Sequence, residues 1–409
     1  MPPVTSFSRA TLTLLVGSAL AQALPLLLGP WIARLYTPAE YGQFSLVWTV
    51  AGNLAVVGCA RYEFALALQT DDRRAAALLA LCLRVLLAVT AVAVLAGAVW
   101  RVWAGLSVAA ALPLAVLALA ASQALAQWAA RAGRFAALAW ARVVQWGGGA
   151  LAQVGFGLMQ AGPWGLVGGA ALAAGGAALL QARPAPAGGW RGLLAPQPLR
   201  ELAHQHRDFP LLNTPHAFAG ALQDTLAIAL LAAWLGEPAA GVWALALRYL
   251  KAPASLVGGA LSQALYPQLA RATQPGEALA LVRRTLALLT LIAVPLGIGI
   301  ALAGPWLFET FFGVQWRAAG LLAQALSPYI ALHFVAAPLS VVTMAWGLQA
   351  WSLKLALVGQ LLFVGGLAAG LWLGGLVGAG WGVSAATACY FGYFFGGLLR
   401  RAPSRESLP

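Results

Sequence analysis

Thr285-Leu286-Ala287-Leu288-Leu289-Thr290-Leu291-Ile292-Ala293-Val294-Pro295-Leu296-Gly297-Ile298-Gly299-Ile300-Ala301-Leu302-Ala303 runs for nineteen residues without a charge. At about 1.5 Å per residue, a helix of that length nearly matches the ~30 Å hydrocarbon core of a bilayer. The stretch has company. Of 409 residues, 61% are hydrophobic and 9% charged. A soluble chain needs roughly a quarter of its residues charged to cover its surface, so lipid must cover this one. With about 20 residues per span, the hydrophobic share leaves room for about twelve helices. The 23 Pro and 46 Gly would damage soluble helices but are tolerated in membrane bundles, where neighbours re-satisfy freed backbone groups. The apolar segments are continuous blocks, not ten-residue alternations, which excludes a membrane β-barrel. The fold class is an all-α polytopic membrane protein.

The net charge of +13 is spread singly between apolar blocks. That pattern sets topology and meets anionic headgroups, and it does not point to nucleic acid. Cys59, Cys82 and Cys389 fall in expected spans without pair spacing, so neither a disulfide nor a metal site is expected. Ala19-Leu20-Ala21 resembles a signal-peptide cleavage site, but the apolar run continues to Trp31. An uncleaved first helix is the expectation.

Breaking the chain at charges and turn residues gives spans at 11–33, 42–68, 75–99, 104–130, 137–158, 163–181, 210–235, 240–269, 283–303, 318–345, 352–373 and 377–399. Pro113 in the fourth and Pro328 and Pro338 in the tenth are candidate breaks. Alternate loops and span ends hold sixteen basic residues: Arg9, Arg73, Arg74, Arg131, Arg134, Arg183, Arg191, Arg200, Arg207, Arg271, Arg283, Arg284, Lys354, Arg400, Arg401 and Arg405. The opposite set holds three, Arg34, Arg101 and Arg317. This bias puts both termini in the cytoplasm of an inner-membrane protein.

The Pro- and Arg-rich loop at 183–209 is the expected joint between an N-terminal six-helix lobe at 1–182 and a C-terminal one at 210–409. A repeat supports the halves. Pro38-Ala39, Gly42, Phe44 and Leu46 recur in kind as Pro238-Ala239, Gly241, Trp243 and Leu245, and Trp164-Gly165 recurs as Trp381-Gly382. Two like-oriented bundles with a site between them form a transporter architecture.

Ionisable residues inside spans are the main functional signal, because each costs a few kcal/mol at the bilayer centre. Arg61 and Glu63 lie in the second span, Arg84 in the third, Arg142 in the fifth and Asp224 in the seventh. Arg248 and Lys251 lie in the eighth. Their three-residue spacing puts Arg248 and Lys251 on one helical face, looking into a wet cavity or at an anion. Arg61, Arg248 and Lys251 are the leading cavity candidates, ahead of Arg84. Arg142 has the plainer reading of a snorkelling side chain. Glu63 either neutralises a nearby Arg or takes part in ion coupling. Asp224 pairs with Arg248 or Lys251, or carries a coupling cation. His216 and His333 read mainly as packing residues, and His204 and His206 lack the partners a metal needs. Gly366, Gly370, Gly374, Gly378 and Gly382 recur every fourth residue, a spacing for close helix packing. No phosphate-cradling loop or catalytic triad is found, so direct use of ATP is not expected.

Gly17-Ser18-Ala19-Leu20-Ala21-Gln22-Ala23-Leu24-Pro25-Leu26, running on to Arg34-Leu35-Tyr36-Thr37-Pro38, resembles the opening of Wzx-type O-antigen flippases. Arg61-Tyr62-Glu63-Phe64-Ala65 with Asp71-Asp72 is similar to the end of their second helix. Arg207-Asp208-Phe209-Pro210, Asn213-Thr214-Pro215-His216, Leu247-Arg248-Tyr249 and Gly258-Gly259-Ala260-Leu261-Ser262-Gln263 resemble their seventh and eighth. The resemblance implies the fold of the multidrug/oligosaccharidyl-lipid/polysaccharide (MOP) exporter superfamily, with two six-helix lobes around a central cavity. It also implies a substrate of undecaprenyl diphosphate carrying an oligosaccharide, such as an O-antigen or exopolysaccharide repeat unit. That substrate would be moved from the cytoplasmic to the periplasmic leaflet by alternating access, alongside a polymerase and other proteins of glycan assembly. No bound cofactor is implied, and coupling to a proton or sodium gradient through Asp224 or Glu63 is the expected drive. Relatives that flip the peptidoglycan precursor usually have two more helices. Two rivals stand beside this reading. A cation-coupled multidrug antiporter of the same superfamily would favour carboxylates in its cavity. A membrane-bound enzyme of the same glycan pathway would carry a large outer loop.

Overall fold

The computed structural model describes residues 4–193, 199–271 and 274–401; Arg405 and the side chains of Arg9 and His216 lie outside the described set. The order is α1 (Val4–Leu35), α2 (Pro38–Val56), a 3-10 turn (Tyr62–Leu68), α3 (Asp72–Ala104), α4 (Leu112–Arg131), α5 (Phe135–Val143), α6 (Gly149–Leu158) and α7 (Gly162–Gln181). After the short α8 (Gly189–Gly192) and α9 (Leu199–Gln205) come α10 (Thr214–Leu235), α11 (Glu237–Leu250), α12 (Ala252–Arg271), α13 (Pro275–Phe312), α14 (Arg317–Ala345) and α15 (Gln349–Arg400). No strand occurs among the described residues.

Among the described residues, seven helical segments are long and apolar enough to cross a membrane. One of them, α15, turns at Gly374 and Gly375, where the backbone leaves helical geometry, and so supplies two passes, 349–373 and 376–400. The expected span at 137–158 stays helical through a π turn at Val144–Gly148, whereas those at 42–68 and 240–269 are each built from two shorter pieces. A single-helix reading of those two was wrong. Their interruptions are backbone events hidden inside apolar sequence.

The proline expectations need the opposite correction. Pro113 starts α4 instead of breaking it, because a missing N–H costs nothing in a first turn. Pro328 and Pro338 sit inside an unbroken α14. The carbonyl of Gln324, which Pro328 deprives of its helical donor, accepts the Ser327 hydroxyl at 2.8 Å. Pro305 in α13 likewise frees the carbonyl of Ala301, and Gln324 Nε2 donates to it at 2.6 Å. Repair by a neighbouring donor is what membrane helices need to keep proline.

Contacts gather the chain into two compact units, Met1–Thr225 and Leu226–Pro409, dividing inside α10 and not in the 183–209 loop. In the first, α4 and α7 pack on each other, α2 lies against both, and α1 runs along α5 and α6. Tyr36, in the turn after α1, donates to the carbonyl of Gln153 at 2.7 Å. Burial, helped by the Glu40 carboxylate, pushes the Tyr36 phenol up to about 12. In the second unit α14 is the hub, with α11, α12, α13 and α15 all packed on it.

The recurrent glycines form a backbone seam. A Cβ on Gly366 would press on the carbonyl and side chain of Gly382 and Ala386, and one on Gly370 would press on Gly378. The repeated Trp-Gly pair follows the same logic. Gly165 leaves room for the Tyr36 hydroxyl, 2.7 Å from where a Cβ would stand, while Gly382 meets Gly366.

Candidate functional site

The sequence of the second span starts as a helix and is then forced out of one. Thr37 opens α2 with a capping box, its hydroxyl accepting from the Glu40 N–H at 3.3 Å while the Glu40 carboxylate accepts from the Thr37 N–H at 2.8 Å. The helix ends where Gly58 lies against α4, with only 2.6 Å from a would-be Cβ to the Ala120 Cβ. Ala60 and Arg61 then take left-handed backbone, with φ of 48° and 63°. Such geometry costs a residue with a Cβ about 1–2 kcal/mol. The chain re-enters helical form as the 3-10 turn, with Glu63 in it.

That break brings Arg61 and Glu63 together. Arg61 Nη1 stands 4.0 Å from Glu63 Oε1, the outer limit of an ion pair, and Glu63 is only 3% exposed. The guanidinium lies 4.6 Å from the Phe64 ring centroid, a cation–π distance. Arg61 Nε and Glu63 Oε2 are buried with no hydrogen-bond partner among the described residues. A buried pair with polar atoms left over can accept a further polar or ionic partner.

The break also rests on the connection between α7 and α10, within the first unit. Tyr62 donates to the carbonyl of Ala203 at 3.4 Å, and Gln69 Nε2 is 2.9 Å from His206 Nε2. Arg131 donates to the carbonyl of Gln69 at 3.0 Å and pairs with Asp72 at 2.7 Å. His206 is thus a hydrogen-bonded part of this connection, and among the described residues no group of three metal-ligating side chains occurs.

Of the remaining first-unit candidates, Arg84 lies on α3 and Arg142 in the last turn of α5, both exposed. Arg142 stands two residues before the π turn Val144–Gly148, a distortion often found at functional positions. Asp224, also exposed, sits on α10 beside Thr225. The Thr225 hydroxyl donates to the carbonyl of Thr49 and accepts from Asn53 Nδ2, each at 3.3 Å. Asn53 is 5% exposed, and its Oδ1 has no partner among the described residues. Sequence reading passed over Asn53 because a lone amide inside a span carries no motif; its burial is the signal.

In the second unit, Lys251 closes α11 and Pro253 opens the first turn of α12. The backbone at Lys251 stays right-handed, with φ −80° and ψ −14°. Pro253 cannot supply the N–H that the Tyr249 carbonyl would take in a continuous helix, and the segment bends there. The single straight helix expected for Arg248 and Lys251 is replaced by a joint, so their spacing no longer guarantees a common face. Lys251 Nζ lies 6.0 Å from the Tyr329 ring centroid and 5.9 Å from that of Phe363. Tyr329 packs in turn on His333, at 5.6 Å and 22° between planes, and on Phe363. His333 therefore belongs to an aromatic cluster behind the lysine. Asp224 falls in the first unit, and Arg248 and Lys251 in the second.

Each unit thus holds a cation at a helix interruption, beside aromatic rings. Irregular backbone at membrane depth is tolerated where it is buried in protein or lines a wet cavity, and broken helices are where transporters build binding sites.

Comparison with known proteins agrees with this architecture. The lipid II flippase MurJ, in an inward closed conformation, superposes with a TM-score of 0.73 at 9% identity, over 94% of this chain and 86% of that one. A multidrug resistance MATE family transporter of the MOP superfamily, in an inward-facing conformation, gives 0.66 at 15% identity, over 95% of this chain and 100% of the other. No curated protein matches the sequence. The polysaccharide biosynthesis protein family matches residues 31–320, most of the chain and both cation-bearing breaks, so this multi-pass membrane protein, with the fold of the MOP superfamily transporters, belongs to the polysaccharide biosynthesis protein family.

Proposed function

We propose that the protein is a flippase that moves an undecaprenyl-diphosphate-linked oligosaccharide from the cytoplasmic to the periplasmic leaflet of a bacterial inner membrane, with both termini cytoplasmic. The observation that carries this reading is the sign of the intramembrane charge. Arg61, Arg84, Arg142, Arg248 and Lys251 face only Glu63 and Asp224 in number. A diphosphate needs cations, and a site for cationic drugs needs carboxylates. Arg61 and Lys251 lead, because each sits at an interruption and against aromatic faces that also suit sugar rings.

In this mechanism the diphosphate is held by the cations while its polyprenyl tail stays in lipid. Substrate binding favours one state of an alternating-access cycle. Moving an anion outward from a negative interior is downhill by about 2.3 kcal/mol per charge per 100 mV. A proton or sodium gradient acting through Asp224 or Glu63 resets the cycle, and a polymerase of the glycan pathway takes the product.

The test is translocation of a labelled undecaprenyl diphosphate oligosaccharide in proteoliposomes, with Arg61→Ala, Arg248→Ala and Lys251→Ala alongside wild type. Flipping that collapses in folded variants supports the reading. Absence of flipping with any lipid-linked glycan, together with export of a cationic dye, overturns it in favour of a multidrug antiporter.

A further inference from the structure

Apart from the cation sites, the second unit carries a groove of about 740 Å³, a volume in the range of small-ligand sites. Its long wall is one stripe of α13, from Arg283 through Ala287, Leu291 and Val294 to Pro295, and Leu399 of α15 closes the other side. Ala287 makes the floor deep, since the residues around it carry longer side chains. The only hydroxyl on the stripe, that of Thr290, donates to the carbonyl of Leu286 at 2.8 Å. The groove is therefore apolar along its length and cationic at one end.

Its dimensions match half a bilayer. From Arg283 to Pro295 is about 18 Å of helix at 1.5 Å per residue, close to one leaflet with part of its headgroup layer. The cationic end is reinforced by chain neighbours: Arg284 follows Arg283, Arg400 follows Leu399, and the three arginines are exposed. Beside them Arg401 stacks on Trp351, with 4.5 Å from its guanidinium carbon to the ring centroid. Basic and tryptophan side chains gathered at one level mark a membrane–water interface.

We infer that this groove is a binding site for one anionic phospholipid of the cytoplasmic leaflet, its phosphate on Arg283 and an acyl chain along Ala287, Leu291 and Val294. Orientation follows the topology proposed above; the site itself is independent of which substrate is flipped. An apolar slot alone would take any lipid, and the arginines at its mouth select the charged headgroup.

Native mass spectrometry of the full chain in detergent, titrated separately with phosphatidylglycerol, phosphatidylethanolamine and undecaprenyl phosphate, tests it. Ala287→Trp fills the floor without touching a charge, and Arg283→Gln removes the charge without filling the groove. Expected is one phosphatidylglycerol retained by wild type and absent from folded Ala287→Trp. Arg283→Gln should bind it about fivefold more weakly, the worth of one basic residue at a membrane surface. Phosphatidylethanolamine should be held less well than phosphatidylglycerol. Equal retention by wild type and folded Ala287→Trp overturns the site. Displacement of phosphatidylglycerol by equimolar undecaprenyl phosphate overturns the choice of occupant. If Ala287→Trp does not fold, unchanged phosphatidylglycerol affinity in Arg283→Gln is by itself fatal to the inference.

Discussion

The two copies of the Pro-Ala repeat begin alike and end differently. Pro38 opens α2 behind a threonine that makes two reciprocal cap bonds, whereas Pro238 lies in the first turn of α11, which Gly236 precedes without any side-chain cap. Further along, the first copy is broken by two non-glycine residues in left-handed geometry, packed hard on α4 through Gly58. The second is bent by a proline, its backbone right-handed throughout and Gly259 facing open space. One break is strained and locked; the other is relaxed. A cation stands where a helix stops in both copies, and the two stops have different physical causes.

Transport offers the largest test of that contrast. Arg61→Ala and Lys251→Ala should each slow glycolipid flipping about 10- to 100-fold, the worth of a charge-assisted hydrogen bond. The double variant discriminates further: losses that multiply mean separate steps, and losses well short of the product mean one shared anion. Next in size is the packing difference. Gly58→Val should lower stability by about 1–3 kcal/mol through overpacking against Ala120, while Gly259→Ala should leave the thermal midpoint unchanged or slightly raised. Equal effects at both positions would erase the distinction between locked and open breaks.

The cap comes third. Thr37→Ala should cost about 1 kcal/mol, read as a lower thermal midpoint in detergent. Strain relief is comparable or smaller and opposite in sign. Ala60→Gly should add about 0.5–1 kcal/mol of stability, and Lys251→Gly should subtract a similar amount because that residue is already right-handed. The smallest effect concerns the first copy's anchor. The Tyr36 phenol has its pKa raised from 10.0 to about 12, so the folded state holds the proton more tightly than the unfolded state. Stability from this source is full below pH 10 and fades as pH rises towards 12. Tyr36→Phe should flatten that part of an alkaline stability profile.

Much of this was legible in the sequence. Charge-free blocks located the spans, and the four-residue glycine rhythm foretold a seam that places Gly366 against Gly382 and Gly370 against Gly378. The breaks were harder to read. Pro253 stood in plain view between Lys251 and Ser255, yet an apolar block with one proline reads as a tolerated kink. At Ala60 and Arg61 nothing local announces a left-handed turn, since neither residue favours it; it follows directly on the close approach of Gly58 to Ala120, a tertiary contact. Pro328 misled in the other direction, because the hydroxyl that repairs its helix, Ser327, is a single ordinary neighbour. Arg61 and Glu63 were picked out by the cost of charge in lipid, whereas Asn53, about as buried as Glu63, carries no charge to be noticed.

The glycine seam has a mechanical side. Packed helices slide past each other by changing side-chain rotamers at their contact, and where backbone meets backbone there are none to change. The corner end of the paired passes, from Gly366 through Gly374 and Gly375 to Gly382, is therefore stiff over about 12 Å. Further from the corner, Gly359 meets the Tyr390 ring and Gly397 the Trp351 ring, so any sliding of one pass on the other is left to that end.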